Sequence, residues 1–142
     1  MTIVRRSVLL DYTADQMFSL VEDMERYPDF LPWCDRADIR RSGNTAVATL
    51  SMNFLGIRQS FTTLNTNTRP SSIRMRLVRG PFSRLDGEWT FTPAGEGSCR
   101  VELFLDYEFS QFLLGRVMGP VFDTVAGSLI DSFLNRAKKV YG

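Results

Sequence analysis

The sequence predicts an α+β fold in which a curved antiparallel sheet wraps around one long C-terminal helix. Three observations carry this. From Asp35 to Phe109 the pattern is β throughout, interrupted only by turn residues. Phe122, Val125, Leu129, Phe133, Ala137 and Val140 then recur as one stripe at helical spacing, widened by Val121, Ile130 and Leu134. The last two strands are apolar on one face and polar on the other, so the sheet has one packed side for that stripe to cover.

Each element follows in order. Thr2 to Leu10 alternates and reads as a strand. Thr13 or Asp11 can cap a helix over Ala14 to Met24, where Met17, Leu20, Val21 and Met24 share a face. Pro28 and Pro32 end it and shape a loop. Strands are expected at Asp35–Ser42, Thr45–Asn53, Arg58–Thr66, Ser72–Val78, Arg84–Thr92 and Ser98–Phe109. Gly43-Asn44, Leu55-Gly56, Arg69-Pro70, Gly80-Pro81 and Pro93-Ala94-Gly95 mark the turns between them. Ser110 can cap a turn through Met118, and Pro120 reads as the first residue of a new helix after Gly119. No linker or repeat divides the chain, and one domain over 1–142 is expected.

The composition excludes several chemistries. There is no histidine, which removes histidine triads and histidine general bases. Cys34 and Cys99 are the only cysteines, too few for a four-ligand zinc site unless carboxylates or a second chain complete it. They are expected to be free and at least half-buried, and no metal or cofactor is expected. No run approaches the ~20 uninterrupted apolar residues of a membrane span. Met1 to Leu10 alternates and carries Arg5 and Arg6, unlike the apolar core of a signal peptide. A cytoplasmic location is expected, with peripheral contact at the inner membrane.

The net charge is +1, but its distribution is uneven. Between Ile39 and Leu85 there is no acidic residue, whereas Arg40, Arg41, Arg58, Arg69, Arg74, Arg76, Arg79 and Arg84 all fall there. These arginines either pair with acidic neighbours on a solvated strand face or meet a phosphate-bearing partner such as RNA or a membrane. No recognition helix or glycine-rich phosphate loop accompanies them, and no specific DNA binding is expected.

The run Tyr27-Pro28-Asp29-Phe30-Leu31-Pro32-Trp33-Cys34 concentrates apolar bulk where prolines forbid regular structure. Together with Glu25-Arg26, Gly56-Ile57-Arg58-Gln59-Ser60-Phe61-Thr62-Thr63, Met75-Arg76-Leu77-Val78-Arg79-Gly80-Pro81-Phe82, Leu85-Asp86-Gly87-Glu88-Trp89 and Gly119-Pro120-Val121-Phe122, it resembles the coenzyme Q-binding and ribosome-associating toxin family. That family belongs to the START-like superfamily, which also holds polyketide cyclases and dehydratases. The resemblance spans essentially the whole chain and implies the helix-grip fold, with a cavity between sheet and C-terminal helix. It implies a non-enzymatic carrier of a hydrophobic ligand, above all ubiquinone, that supports respiration. It also implies two alternatives: a toxin that binds a ribosomal subunit and blocks subunit association, and a cyclase or dehydratase.

On this reading Tyr27, Phe30, Leu31 and Trp33 form an apolar lip, or else simply close one end of the core. Phe61, Met75, Leu77, Trp89 and Phe91, with Leu50 and Met52, line the inner sheet face opposite Met118, Phe122 and Val125. The weak patterning of the central strands leaves their inward parity open. Tyr107, Gln59 and Arg79 are candidates for holding a quinone head. Asp86 and Glu88, two apart on one strand, look like an acid–base pair but share their face with Arg84 and Thr90, as a surface ladder does. No partner base is evident for Cys34 as a nucleophile.

Overall fold

A computed structural model describes residues 2–54 and 56–142. Met1 and Leu55 lie outside it, and with Leu55 half of the expected Leu55-Gly56 turn. Seven strands form one antiparallel sheet: β1 Thr2–Leu10, β2 Cys34–Ser42, β3 Thr45–Phe54, β4 Ile57–Thr68, β5 Ser72–Arg79, β6 Phe82–Pro93 and β7 Cys99–Phe109. Their order across the sheet is β1-β7-β6-β5-β4-β3-β2, so β2 to β7 is a continuous meander and β1 closes on its last member. All strands lie within a residue or two of expectation.

Between β1 and β2 run α1 Ala14–Glu22, a 3-10 turn Met24–Arg26 and a short α2 Tyr27–Phe30. Thr13 and Gln16 form a reciprocal cap: Gln16 N–H donates to Thr13 Oγ1 at 3.1 Å, and Thr13 N–H donates to Gln16 Oε1 at 2.9 Å. The proline-containing segment is therefore partly helical rather than a loop. Pro28 falls in the first turn of α2, where its missing N–H has no intrahelical partner to lose.

The C-terminal helix departs from expectation in one respect. It is continuous as α3 Phe112–Tyr141, with Pro120 inside it and not at the start of a new helix. Ser110 does not cap it; its hydroxyl donates to Pro81 O at 3.1 Å, and Gln111 occupies the cap position. Packing on both sides of the proline offsets the missing backbone bond. Met118 precedes it in the core, and after it the Phe122 ring stands 4.6 Å from Tyr107 and 5.4 Å from Phe82. Its buried stripe of Met118, Phe122, Ala126, Ile130, Phe133 and Ala137 faces the sheet. Tyr141 then ties the end of α3 to α1, its hydroxyl donating to Gln16 O at 2.9 Å.

One glycine in a turn is required by geometry. Gly80, between β5 and β6, has φ 151°, and a Cβ there would stand 2.6 Å from the Cβ of Phe61. No side chain fits without moving β4.

Candidate functional site

The register of the sheet decides which side chains face α3. Phe61 pairs with Leu50, Asn65 with Met75 and Ala46, Gly87 with Met75 and Leu105, and Trp89 with Ile73 and Leu103. Successive residues alternate faces, so 61, 63, 65 and 67 of β4 all point inward. Between this face and α3 lies a cavity of about 90 Å³. Its wall includes Leu50, Phe61, Ile73, Met75, Leu85, Trp89, Leu103 and Leu105 from the sheet, and Phe122, Val125, Ala126, Leu129 and Phe133 from α3. Val21, Met24, Tyr27 and Trp33 close one side.

Gly87 helps keep this hollow open. A Cβ on it would meet the Leu105 methyl at 2.7 Å and the Met75 terminal methyl at 2.8 Å. At about 90 Å³ the hollow is smaller than the ~150 Å³ of an engineered cavity that admits benzene. A larger guest enters only if flexible wall groups such as Met24 and Met75 turn aside.

Of the residues expected at the site, the structure brings Tyr27, Trp33, Leu50, Phe61, Met75, Trp89, Phe122 and Val125 to the wall. Six others lie elsewhere. Phe30 points away from it, edge-on to Phe133 at 5.4 Å and beneath the Arg136 guanidinium at 5.0 Å. Leu31 is fully buried packing, 1 % exposed, and Met52 is buried core, 2 % exposed. Phe91 is inward-facing but covered by Phe18 of α1, ring to ring at 5.6 Å. Met118 is core one turn before Phe122. Leu77 pairs with Thr63 beside a register shift, where a bulged strand bends.

The candidates for a polar head contact are also displaced. The Tyr107 hydroxyl donates to Asp123 Oδ1 outside the hollow, and burial and that carboxylate together push its phenol up. Gln59 is half-buried off the wall, and Arg79 is on the outer face. The polar wall residues are instead Glu22, Thr63, Asn65 and Asn67. The parity that places Phe61 inward extends to 63, 65 and 67, and that was the signal available in the sequence.

The Tyr27 phenol donates to Val21 O, and burial pushes its pKa up, so it is an anchor for α2 and holds its proton. Burial also raises Cys34 to about 11 and moves Cys99 in the same direction. A thiol so protonated is a poor nucleophile at neutral pH. Asp86 lies on the outer face, bound by Arg74 at 3.0 and 2.8 Å, as in a cross-strand ladder.

The arginine block divides in two. Arg41 meets Glu25, Arg69 meets Asp15 and Glu22, Arg74 meets Asp86, and Arg84 meets Asp106 and Glu108. Arg40, Arg58, Arg76 and Arg79 are exposed and form no ion pair among the described residues. On the outer face Arg40 and Arg76 flank Val47 and Leu64 in one cross-strand row.

Residues 10–134 match the model of the polyketide cyclase/dehydrase and lipid transport family. The chain belongs to that family. Its START-like helix-grip architecture recurs in the solved structure of a START superfamily protein from Mycobacterium smegmatis, 22% identical, with a TM-score of 0.80 over 97% of this chain and 98% of that one. The chain is 43% identical over 140 residues to the ribosome association toxin RatA of Vibrio cholerae, covering 98% of this chain and 97% of that one. It is 28% identical over 143 residues to the mitochondrial coenzyme Q-binding protein coq10 of Schizosaccharomyces pombe, covering 94% and 85%. The solution structure of an 18 kDa protein of Caulobacter crescentus is 34% identical, with a TM-score of 0.78 over 100% of this chain and 99% of that one. The names of these relatives thus refer to ribosome association and to coenzyme Q binding.

Proposed function

We propose that this protein carries an apolar isoprenoid ligand of the ubiquinone type in the hollow beneath α3, without transforming it, in support of respiration. The observation that carries this reading is the wall itself, aliphatic and aromatic over most of its extent and placed where the helix-grip fold leaves room. Burial of a polyprenyl tail supplies ~25 cal/mol per Å², so affinity needs few polar contacts. A quinone-binding relative supports the choice of ligand. A carrier rather than an enzyme fits the site: Glu22, the carboxylate on the wall, is already held by Arg69 at 2.6 Å and Asn67 at 3.2 Å.

Ligand exchange would take place at a membrane surface, touched by the start of α3. Phe112 and Leu113 are each 76 % exposed there and Val117 is 57 % exposed, with Arg116 among them. Apolar side chains beside a cation suit the headgroup boundary of an anionic bilayer.

Trp33 and Trp89 both stand on the wall, so the hollow reports its own occupancy. Titrating a short-chain ubiquinone is expected to quench tryptophan emission saturably. At a hundredfold excess over Kd it should add about 2.7 kcal/mol of stability. Unchanged emission together with an unchanged melting temperature would rule the carrier out.

A second reading, association with a ribosomal subunit, is favoured by the RatA relative and by Arg40, Arg58, Arg76 and Arg79, exposed on the opposite face. Co-sedimentation with ribosomal subunits at low salt, lost at high salt and on replacing these four by serine, is its expected result. Protein left at the top of a low-salt gradient contradicts it.

A further inference from the structure

One end of the hollow is polar, and its hydrogen bonds are unequal. Thr63, Asn65 and Asn67 stand in succession on the inner face of β4, and Glu22 closes on them from the last turn of α1. Thr63 Oγ1 donates to Asn65 Oδ1 at 2.8 Å. Asn65 Nδ2 reaches the sulfur of Met24 at 3.3 Å. Asn67 Nδ2 donates to Glu22 Oε2 at 3.2 Å, while Glu22 Oε1 receives Arg69 at 2.6 Å. The carboxylate fixes the Asn67 amide, because the flipped orientation would set oxygen against oxygen. Its Oδ1 is consequently buried, and no described residue donates to it.

A buried acceptor without a donor destabilises its surroundings, and a bound molecule that brings an O–H removes the penalty. A carbonyl oxygen brings no proton. The two oxidation states of a quinone differ in this respect: the quinone presents two carbonyls, the hydroquinone two hydroxyls. Their isoprenoid tails are identical, so the apolar wall does not distinguish them. An indole N–H on Trp33 or Trp89 can serve either form, since both carry an acceptor oxygen.

We propose, building on the carrier reading above, that Asn67 makes this hollow selective for the reduced, hydroxyl-bearing form of its ligand. A phenolic O–H of a hydroquinone head donates to Asn67 Oδ1, and the oxidised head leaves that oxygen unpaired. Asn67 is then a specificity-determining residue rather than a structural one, and the protein holds quinol in preference to quinone.

The test compares a short-chain ubiquinol, the corresponding ubiquinone and the O-methylated quinol, titrated anaerobically against wild type by tryptophan quenching. Wild type is expected to bind the quinol about tenfold more tightly than the quinone. For a two-electron couple this corresponds to a rise of about 30 mV in the midpoint potential of the bound pair. The O-methylated quinol keeps the shape without the donor and should bind like the quinone. Asn67→Leu should bring the quinol-to-quinone ratio to about one by losing quinol affinity alone, with Asn67→Ala as the alternative should leucine prevent folding. Equal affinity for quinol and quinone in wild type, or a preference that survives O-methylation or loss of Asn67, overturns the selectivity and leaves the carrier intact. Binding of none of the three overturns both.

Discussion

Replacing Phe133 with alanine is expected to lower the stability of the fold by about 3–5 kcal/mol, the largest effect of any single truncation in α3. The ring is 1 % exposed. It sits edge-on to three others: Tyr27 at 5.4 Å, Phe30 at 5.4 Å and Trp89 at 5.3 Å. It therefore joins α3 to both the proline-bearing segment and the sheet. Its removal loses aromatic contacts on several sides and leaves a cavity continuous with the existing hollow. Urea denaturation should show a lower midpoint at nearly unchanged slope. Val140→Ala, on the same helix at 49 % exposure, should stay within about 0.5 kcal/mol of wild type. A loss below about 1 kcal/mol for Phe133→Ala would mean that α3 is held to the sheet by something other than this aromatic cluster.

The second large effect is on binding. Gly87→Ala places a methyl group 2.7 Å from Leu105 Cδ2 and 2.8 Å from Met75 Cε, with Phe104 O at 3.2 Å. Both side-chain ends must yield, and the space available to them is the hollow. Overpacking of this kind destabilises by about 1–3 kcal/mol, a tolerable loss for a domain of this size. Ligand affinity should fall by more than tenfold, because the guest and the displaced methyl groups compete for one volume. Calorimetric titration of the folded variant measures this. Wild-type affinity in a stable Gly87→Ala protein would place the ligand elsewhere on the molecule.

How much of this was legible beforehand depends on the element. β6 and β7 alternate cleanly, as in Leu85, Gly87, Trp89 and Phe91 against Arg84, Asp86, Glu88 and Thr90, and their faces could be assigned at once. The α1 start is legible to within a choice of cap, Thr13 or Asp11, and the structure selects Thr13 through its reciprocal bonds with Gln16. Pro120 after Gly119 marks a helix start in the sequence and divides α3 in two, whereas the aromatic contacts of Phe122 hold it continuous through Pro120. The polar end of the hollow was hidden by β4, where hydropathy runs against burial. Leu64 is 40 % exposed there, while Asn65 is 2 % exposed. A strand that turns asparagines inward and a leucine outward defeats any reading based on apolar periodicity. What betrays it is the parity fixed by Phe61 and the register with β3.

In the sequence Gly87 stands only as part of the Leu85-to-Trp89 motif, but its contribution is volumetric and shows only once Met75 and Leu105 are seen on either side of it. The proline-flanked rings likewise part company in three dimensions. Tyr27 and Trp33 reach the wall, whereas Phe30, edge-on to Tyr27 at 5.9 Å on the same face of the short helix, stands behind it against Phe133 and Arg136.

Native mass spectrometry of freshly purified protein, paired with organic extraction of the same sample, asks most directly whether the space under α3 is occupied by a lipid. The expected result is a fraction of the 16.2 kDa chain carrying one apolar adduct, extractable as a quinone or quinol and reduced in the Gly87→Ala protein. A bare mass, an extract free of isoprenoid, and no uptake when ubiquinone-loaded vesicles are supplied would contradict it.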